Sequence, residues 1–221
     1  MKKLVLLALA VVSAAMFALP AVAAAGEPET DCPGGAATCS FTTSGEALTW
    51  TTANGTTINC TSSTGTGSYT SKTTGTIGLT YSGCKESVFG TSCGTSGVIK
   101  TSTAVFHNVY TADNKTSPGL LITQPAAGTF ASFSCGGGLL TVSVTGNVIG
   151  SLESPGCGSE AELWPLNFTE SAHGNQTLKQ VTGTGSAFDL LAHLNTGGTQ
   201  TTAVAATWKI KFTGKAKLTC I

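Results

Sequence analysis

From Trp208 to Cys220 apolar and polar residues alternate without a break. Side chains in a strand repeat every two residues. Trp208, Ile210, Phe212, Gly214, Ala216, Leu218 and Cys220 therefore share one side, and Lys209, Lys211, Thr213, Lys215, Lys217 and Thr219 the other. A hairpin at Thr213-Gly214 would set Phe212 opposite Lys215 and mix the two faces, and a simple bulge at Gly214 would invert the parity beyond it. The stretch predicts one long strand, bent at Gly214, with one face in a core and a row of lysines on the other. It supplies a core wall and a terminal cysteine, and no catalytic group.

The rest of the chain is punctuated in the same language. Ala47 to Thr52 and Thr56 to Thr61 flank the hairpin signal Asn54-Gly55, and Gly65 to Gly67 reads as a further turn. Strands are expected over 74–81, 98–110, 120–123, 129–135, 140–148, 163–169 and 178–183. Ser186 to Leu194 fits either a capped helix, with Asp189 three residues after Ser186, or a strand with Phe188, Leu190, Ala192 and Leu194 on one face; its length and surroundings favour the strand. Many short strands separated by turn signals indicate an all-β fold, an antiparallel β-sandwich, jelly roll or barrel-like sandwich.

The first 25 residues have the layout of a secretory signal peptide: Lys2 and Lys3, an apolar run from Leu4 to Leu19, Pro20, and small residues for cleavage around Ala21 to Ala25. A membrane anchor is the alternative, although the run is short for a span of about 20 residues. The acidic, Pro/Gly-rich segment 26–39 reads as a flexible arm closed by a small Cys32 to Cys39 loop, and 40–221 as a single β domain. Eight cysteines follow the leader: Cys32, Cys39, Cys60, Cys84, Cys93, Cys135, Cys157 and Cys220. An even count in an exported chain reads as a disulfide framework. Proximity in sequence and strand ends suggest Cys32 to Cys39, Cys84 to Cys93, Cys135 to Cys157 and Cys60 to Cys220. No Cys-x-x-Cys pair or Cys/His cluster calls for a metal, and nothing calls for a cofactor.

Without the leader the chain carries nine lysines, no arginine and eleven acidic residues, a net of −2. That balance speaks against nucleic acid, and the missing arginines weaken any phosphate-clamping role. Asp189 and His193 are the most catalytic-looking pair, yet on a strand they stand about 13 Å apart. No nucleophile-elbow, zincin or phosphate-loop pattern is present.

Carboxylates gather between Glu153 and Glu170, with Glu160 and Glu162 beside Trp164-Pro165. A tryptophan face stacking on a sugar ring while carboxylates take its hydroxyls would make a glycan site; a solvated loop is the plainer reading. Lys209, Lys211, Lys215 and Lys217 project from one face and could hold an anionic cell-wall polymer; alternatively they deter an exposed strand from pairing with another chain.

The runs Gly83 to Cys93 (Gly-Cys-Lys-Glu-Ser-Val-Phe-Gly-Thr-Ser-Cys), Phe133 to Gly137 and Val144 to Gly150 resemble a group of exported, Thr/Gly-rich all-β proteins of actinobacterial type. The resemblance implies an exported β protein and no particular activity, and the expected location is secreted or extracellular, at a bacterial cell surface. The expectation is a secreted or cell-surface binding or structural protein, with a secreted hydrolase acting on glycans or esters as the alternative.

Overall fold

The computed structural model describes residues 27–111, 116–125, 128–182 and 188–221, so the expected leader over 1–25 lies outside the described residues. The first half of the chain forms β1 (Glu29–Asp31), β2 (Cys39–Gly45), β3 (Leu48–Thr52), β4 (Thr57–Cys60), β5 (Ser62–Tyr69), β6 (Thr74–Ser82), β7 (Lys85–Glu86), β8 (Ile99–Lys100) and β9 (Ala104–Tyr110). The second half forms β10 (Pro118–Thr123), β11 (Ala131–Cys135), β12 (Leu140–Leu152), β13 (Glu160–Phe168), β14 (Glu170–Ala172), β15 (Asn175–Gln176), β16 (Leu190–Leu194) and β17 (Gly198–Thr219). The fold is all-β and antiparallel, and among the described residues no helix is long and apolar enough to cross a membrane.

Strand pairing selects the barrel-like form of the sandwich. Starting from the C-terminal half of β17, the ladder runs through β2, β5, β6, β9, β10, the end of β12 and β13, and returns to β17. The N-terminal halves of β12 and β17 leave this ring and enter a second layer ordered β11, β12, β16, β17, β3, β4, β7. Bridges between Lys85 and Ser92 and between Cys93 and Cys135 tie the two margins of that layer together. Two long strands thus belong to both layers, and one hydrophobic cluster runs through both.

The expected strand over 208–220 is the second half of β17, which begins ten residues earlier at Gly198. Trp208, Ile210, Phe212, Ala216 and Leu218 are buried and Lys209, Lys211, Thr213 and Lys215 exposed, so the parity holds across Gly214. Opposite it, pairing with β13 breaks between Leu163↔Lys211 and Ala161↔Ala216, which leaves the bend unpaired on that side. On the inner side of the bend Pro33 lies 3.3 Å from where a Cβ on Gly214 would stand.

The barrel interior is aromatic. Phe41, Tyr69, Phe106 and Phe212 pack with ring centroids 4.9 to 6.2 Å apart, Trp164 sets an edge against Phe212 at 4.9 Å, and Trp208 lies 4.6 Å from Phe168. Such bulk fits because glycines line the facing positions. A Cβ on Gly67 would overlap Phe41, one on Gly75 Phe106, one on Gly45 Trp208 and one on Gly150 Phe168. This corrects the reading of Gly65 to Gly67 as a turn: these glycines lie inside β5 and leave their inward positions empty for neighbouring side chains. Residues 178–181 form no strand, and 188–194 contain β16 rather than a helix, residues 186 and 187 lying outside the described residues.

The segment after residue 26 is no loose arm. Thr30 is fully buried, β1 pairs with the end of β17, and Lys72 bridges to Glu29 and Asp31 at 3.2 and 2.8 Å. Asn108 Nδ2 donates to the Pro28 carbonyl and to Thr30 Oγ1, while Tyr69 donates its hydroxyl proton to Asn108 Oδ1. A polar segment with few apolar residues is held here by a buried hydrogen-bond network, which composition does not register.

All eight cysteines are paired, as 32 with 39, 60 with 84, 93 with 135 and 157 with 220. Only the first of the expected pairs is present. Cys84 to Cys93, Cys135 to Cys157 and Cys60 to Cys220 are replaced because the sheet, not sequence distance, brings sulfurs together. Cys60 ends β4, whose Asn59 pairs with Lys85 next to Cys84. Cys157 is carried to Cys220 by the hydrogen bond from the Gly158 N–H to the Leu218 carbonyl.

Candidate functional site

The outer face of the barrel across β2, β5 and β6 is built largely from small hydroxyl side chains, and β17 and β13 continue it with lysines and glutamates. The inward neighbours of the hydroxyl residues are buried or glycine, so the period of two leaves Ser40, Thr42, Thr66, Ser68 and Thr76 pointing outward. The register aligns them in rows: Leu163, Lys211, Thr42, Thr66 and Gly78 lie side by side, and Ser40, Ser68 and Thr76 form the next row. A trough of about 970 Å³ follows these rows, with Glu162 and Lys211 at one end and Thr103 at the other. Gly78 lowers its floor, since the nearest atom to a Cβ placed there is Thr103 Oγ1 at 3.9 Å.

Two of the expected site residues, Glu162 and Lys211, therefore meet in one concave surface. Lys209 and Lys215 are exposed on the same face of β17, Lys209 lining a smaller depression with Glu46. Lys217 differs. It is half-buried, pairs across the ladder with both Asp31 and Glu160, and contributes to holding the Asp31 carboxyl below the usual carboxylate range, an effect led by the hydrogen bond from Lys72. The four lysines thus do not form one uniform positive strip, because glutamates on β13 run beside them. Nor do they guard a free edge. β17 is paired on one side with β16 and β13 and on the other with β3, β2 and β1, and only the bend at 213–215 lies outside these ladders.

Trp164 has to be removed from the candidate binding residues. Its ring is fully buried, and its indole N–H donates to the Ala161 carbonyl at 3.2 Å, so no sugar can reach its face. The sequence placed it beside Glu160 and Glu162, and regular alternation would put all three on one side; the pairing of β13 shifts register between Ala161 and Leu163, so Glu162 stays exposed while Trp164 joins Leu166 and Phe168 in the core. Glu153 and Glu160 are exposed, and the Glu170 carboxylate accepts the Gly174 N–H at 3.0 Å.

The histidines stand apart from these carboxylates. His193 Nδ1 lies 2.8 Å from Thr199 Oγ1 across the β16–β17 ladder, and Asp189 instead pairs with Lys179 at 2.8 Å. His107 Nδ1 lies 3.3 Å from Thr74 Oγ1, and burial pushes its imidazole below the usual range. Among the described residues no hydrogen bond or ion pair joins a histidine to a carboxylate, and no three His, Cys, Asp or Glu side chains are grouped to hold a metal ion.

The hydroxyl rows are what the sequence reading missed, because a turn at Gly65 to Gly67 cuts β5 out of the sheet. The signal was available as a period-two alternation of Thr64, Thr66 and Ser68 with Gly65 and Gly67. No protein-family model, curated protein or solved structure matches the chain.

Proposed function

We propose that this chain is an exported, disulfide-braced binding module whose barrel trough takes a hydroxyl-rich polymer, a glycan strand of a cell surface. The observation that carries the reading is the meeting of Glu162, Lys211 and the Ser/Thr rows in one concave surface. A carboxylate accepts hydrogen bonds from sugar hydroxyls, an ammonium donates to ring and hydroxyl oxygens, and serine and threonine do both. Crossing from β13 to β6 covers four strand spacings, about 19 Å, long enough for a run of several sugar units rather than one. Four disulfides support an oxidising, extracellular setting. Mixed charge along β13 and β17 favours a polymer recognised by its hydroxyls over one held by negative charge alone.

Co-sedimentation with insoluble peptidoglycan, chitin and cellulose tests this. Wild-type protein is expected to be retained on at least one of them, with little loss in high salt. Glu162→Gln with Lys211→Gln should weaken that retention by about tenfold without changing thermal unfolding. Retention on none of the three polymers, or undiminished retention of the double variant, would overturn the proposal.

A further inference from the structure

At one end of the second layer, on residues that do not line the trough, three large apolar side chains stand in solvent: Val88 is 64% exposed, Phe89 76% and Leu139 67%. They come from two loops. One runs from β7 to the Lys85–Ser92 bridge, the other from β11 into β12, and the Cys93–Cys135 disulfide joins their bases. All three border a single small depression of about 120 Å³ together with Thr56, Thr91, Leu140 and Thr196. The apolar tips are therefore neighbours in space.

The first loop is built to hold its tip outward. Glu86 is buried, and its carboxylate accepts the N–H groups of Val88, Phe89 and Thr91 at 2.6 to 3.1 Å as well as the Thr91 hydroxyl at 3.0 Å. A charge turned inward and surrounded by donors fixes the backbone from which Val88 and Phe89 project. The second loop carries Gly136, Gly137 and Gly138 in the left-handed region, with open space around the last two, before Leu139.

We infer that this end of the molecule inserts the Val88, Phe89 and Leu139 side chains into the interface of a lipid bilayer. Three features choose a bilayer over a protein. The exposed apolar area is on the order of 350 Å², short of the roughly 450 Å² of apolar surface that each partner contributes to a stable protein interface. The side chains project from loop tips, so what covers them must close around protrusions, which acyl chains do without a matching pocket. Charge points the same way. Along residues 85–91 and 136–139 the ionisable side chains are Glu86, which is buried and fully engaged, and the exposed Lys85, placed to meet lipid phosphate. Neither leaves a carboxylate that anionic headgroups would repel.

The test uses vesicles of phosphatidylcholine, alone and mixed with phosphatidylglycerol. Trp50, Trp164 and Trp208 are buried, so a Phe89→Trp variant supplies an exposed reporter. Its emission should shift to the blue on adding vesicles and be quenched by brominated acyl chains. Replacing Val88, Phe89 and Leu139 together by Ser should abolish sedimentation with vesicles, and Phe89→Ser alone should lower the partition coefficient about tenfold. The Glu162→Gln, Lys211→Gln protein should bind vesicles as wild type does, which separates this surface from the glycan trough. Absence of the blue shift and quenching overturns the inference. So does vesicle binding that survives the triple change, or a wild-type dimer that the triple change makes monomeric.

Discussion

Gly75 and Gly78 lie on the same strand three residues apart, and the same substitution at each should have opposite consequences. Gly75 faces inward. A Cβ there would fall on Phe106 Cζ and on the Ser68 carbonyl oxygen, well inside contact distance. Ser68 belongs to β5, paired residue for residue with β6, so its carbonyl cannot retreat without opening the ladder. Overfilling a packed core costs about 1–3 kcal/mol, and a backbone obstacle puts Gly75→Ala at the upper end, about 3 kcal/mol. For a chain of this size that lowers Tm by roughly 6–12 °C. Gly78 faces outward with 3.9 Å to its nearest neighbour. There alanine only removes conformational freedom from the unfolded chain, which stabilises by about 0.5 kcal/mol. Equilibrium unfolding in urea with the disulfides intact measures both. A Phe106→Leu change added to Gly75→Ala should couple with it by more than about 0.5 kcal/mol, since the ring is half of the obstruction. Equal losses at the two glycines, or an unaltered midpoint for Gly75→Ala, would refute the claim that glycines make room for the aromatic interior.

Replacing Cys157 and Cys220 together by Ser opens a span of 63 residues; the chain-entropy model gives a loss of about 4 kcal/mol, read as a lower urea midpoint, and peptide mapping should recover these two cysteines joined in the parent protein. A peptide linking Cys60 to Cys220 would contradict the strand pairing itself. Burial pushes the Glu86 carboxyl up, but the N–H groups of Thr91, Phe89 and Val88 and the Thr91 hydroxyl outweigh it and hold the group below the usual carboxylate range. A depressed folded-state value means that its contribution is complete above the unfolded value of about 4.3 and is lost as the pH falls through the folded one. Amide protection at Val88, Phe89 and Thr91 should therefore collapse in acid while that of β17 persists, and Glu86→Gln should remove the difference between acid and neutral pH.

Much of the fold was legible because it rests on parity. Trp208 to Cys220 alternates so regularly that one strand, one buried face and one lysine face could be read directly, and Asn54-Gly55 marked a real hairpin between β3 and β4. What escaped was information held between strands. Gly65 and Gly67 look like punctuation until Phe41 on β2 is known to lie against the second of them. The segment around Thr30 looks unstructured until Asn108, distant in sequence, is seen to bond it. Trp164 fails as a sugar platform for the converse reason: residue type suggested a function, while its alternation with the buried Leu166 and Phe168 assigned it to the core, and the register shift that turns Glu162 away from it is held between strands.

The disulfides follow the same logic and show where the framework acts. Cys60 to Cys84 closes beside the β4–β7 ladder, Cys93 to Cys135 coincides with a bridge between the two margins of the second layer, and Cys157 to Cys220 clamps the end of β17. Each joins segments that hydrogen bonding has already brought together, so none is needed to specify which strands meet. They act at strand ends and loop bases, where a ladder has few neighbours and would open first. The aromatic interior around Phe212 and the trough on its outer wall are held by β17 and its partners on both sides. Reduction should thus loosen the bases of the Phe89 and Leu139 loops and the C-terminal residues well before it disturbs the barrel, because there a few hydrogen bonds and a cross-link stand in for packing on both sides.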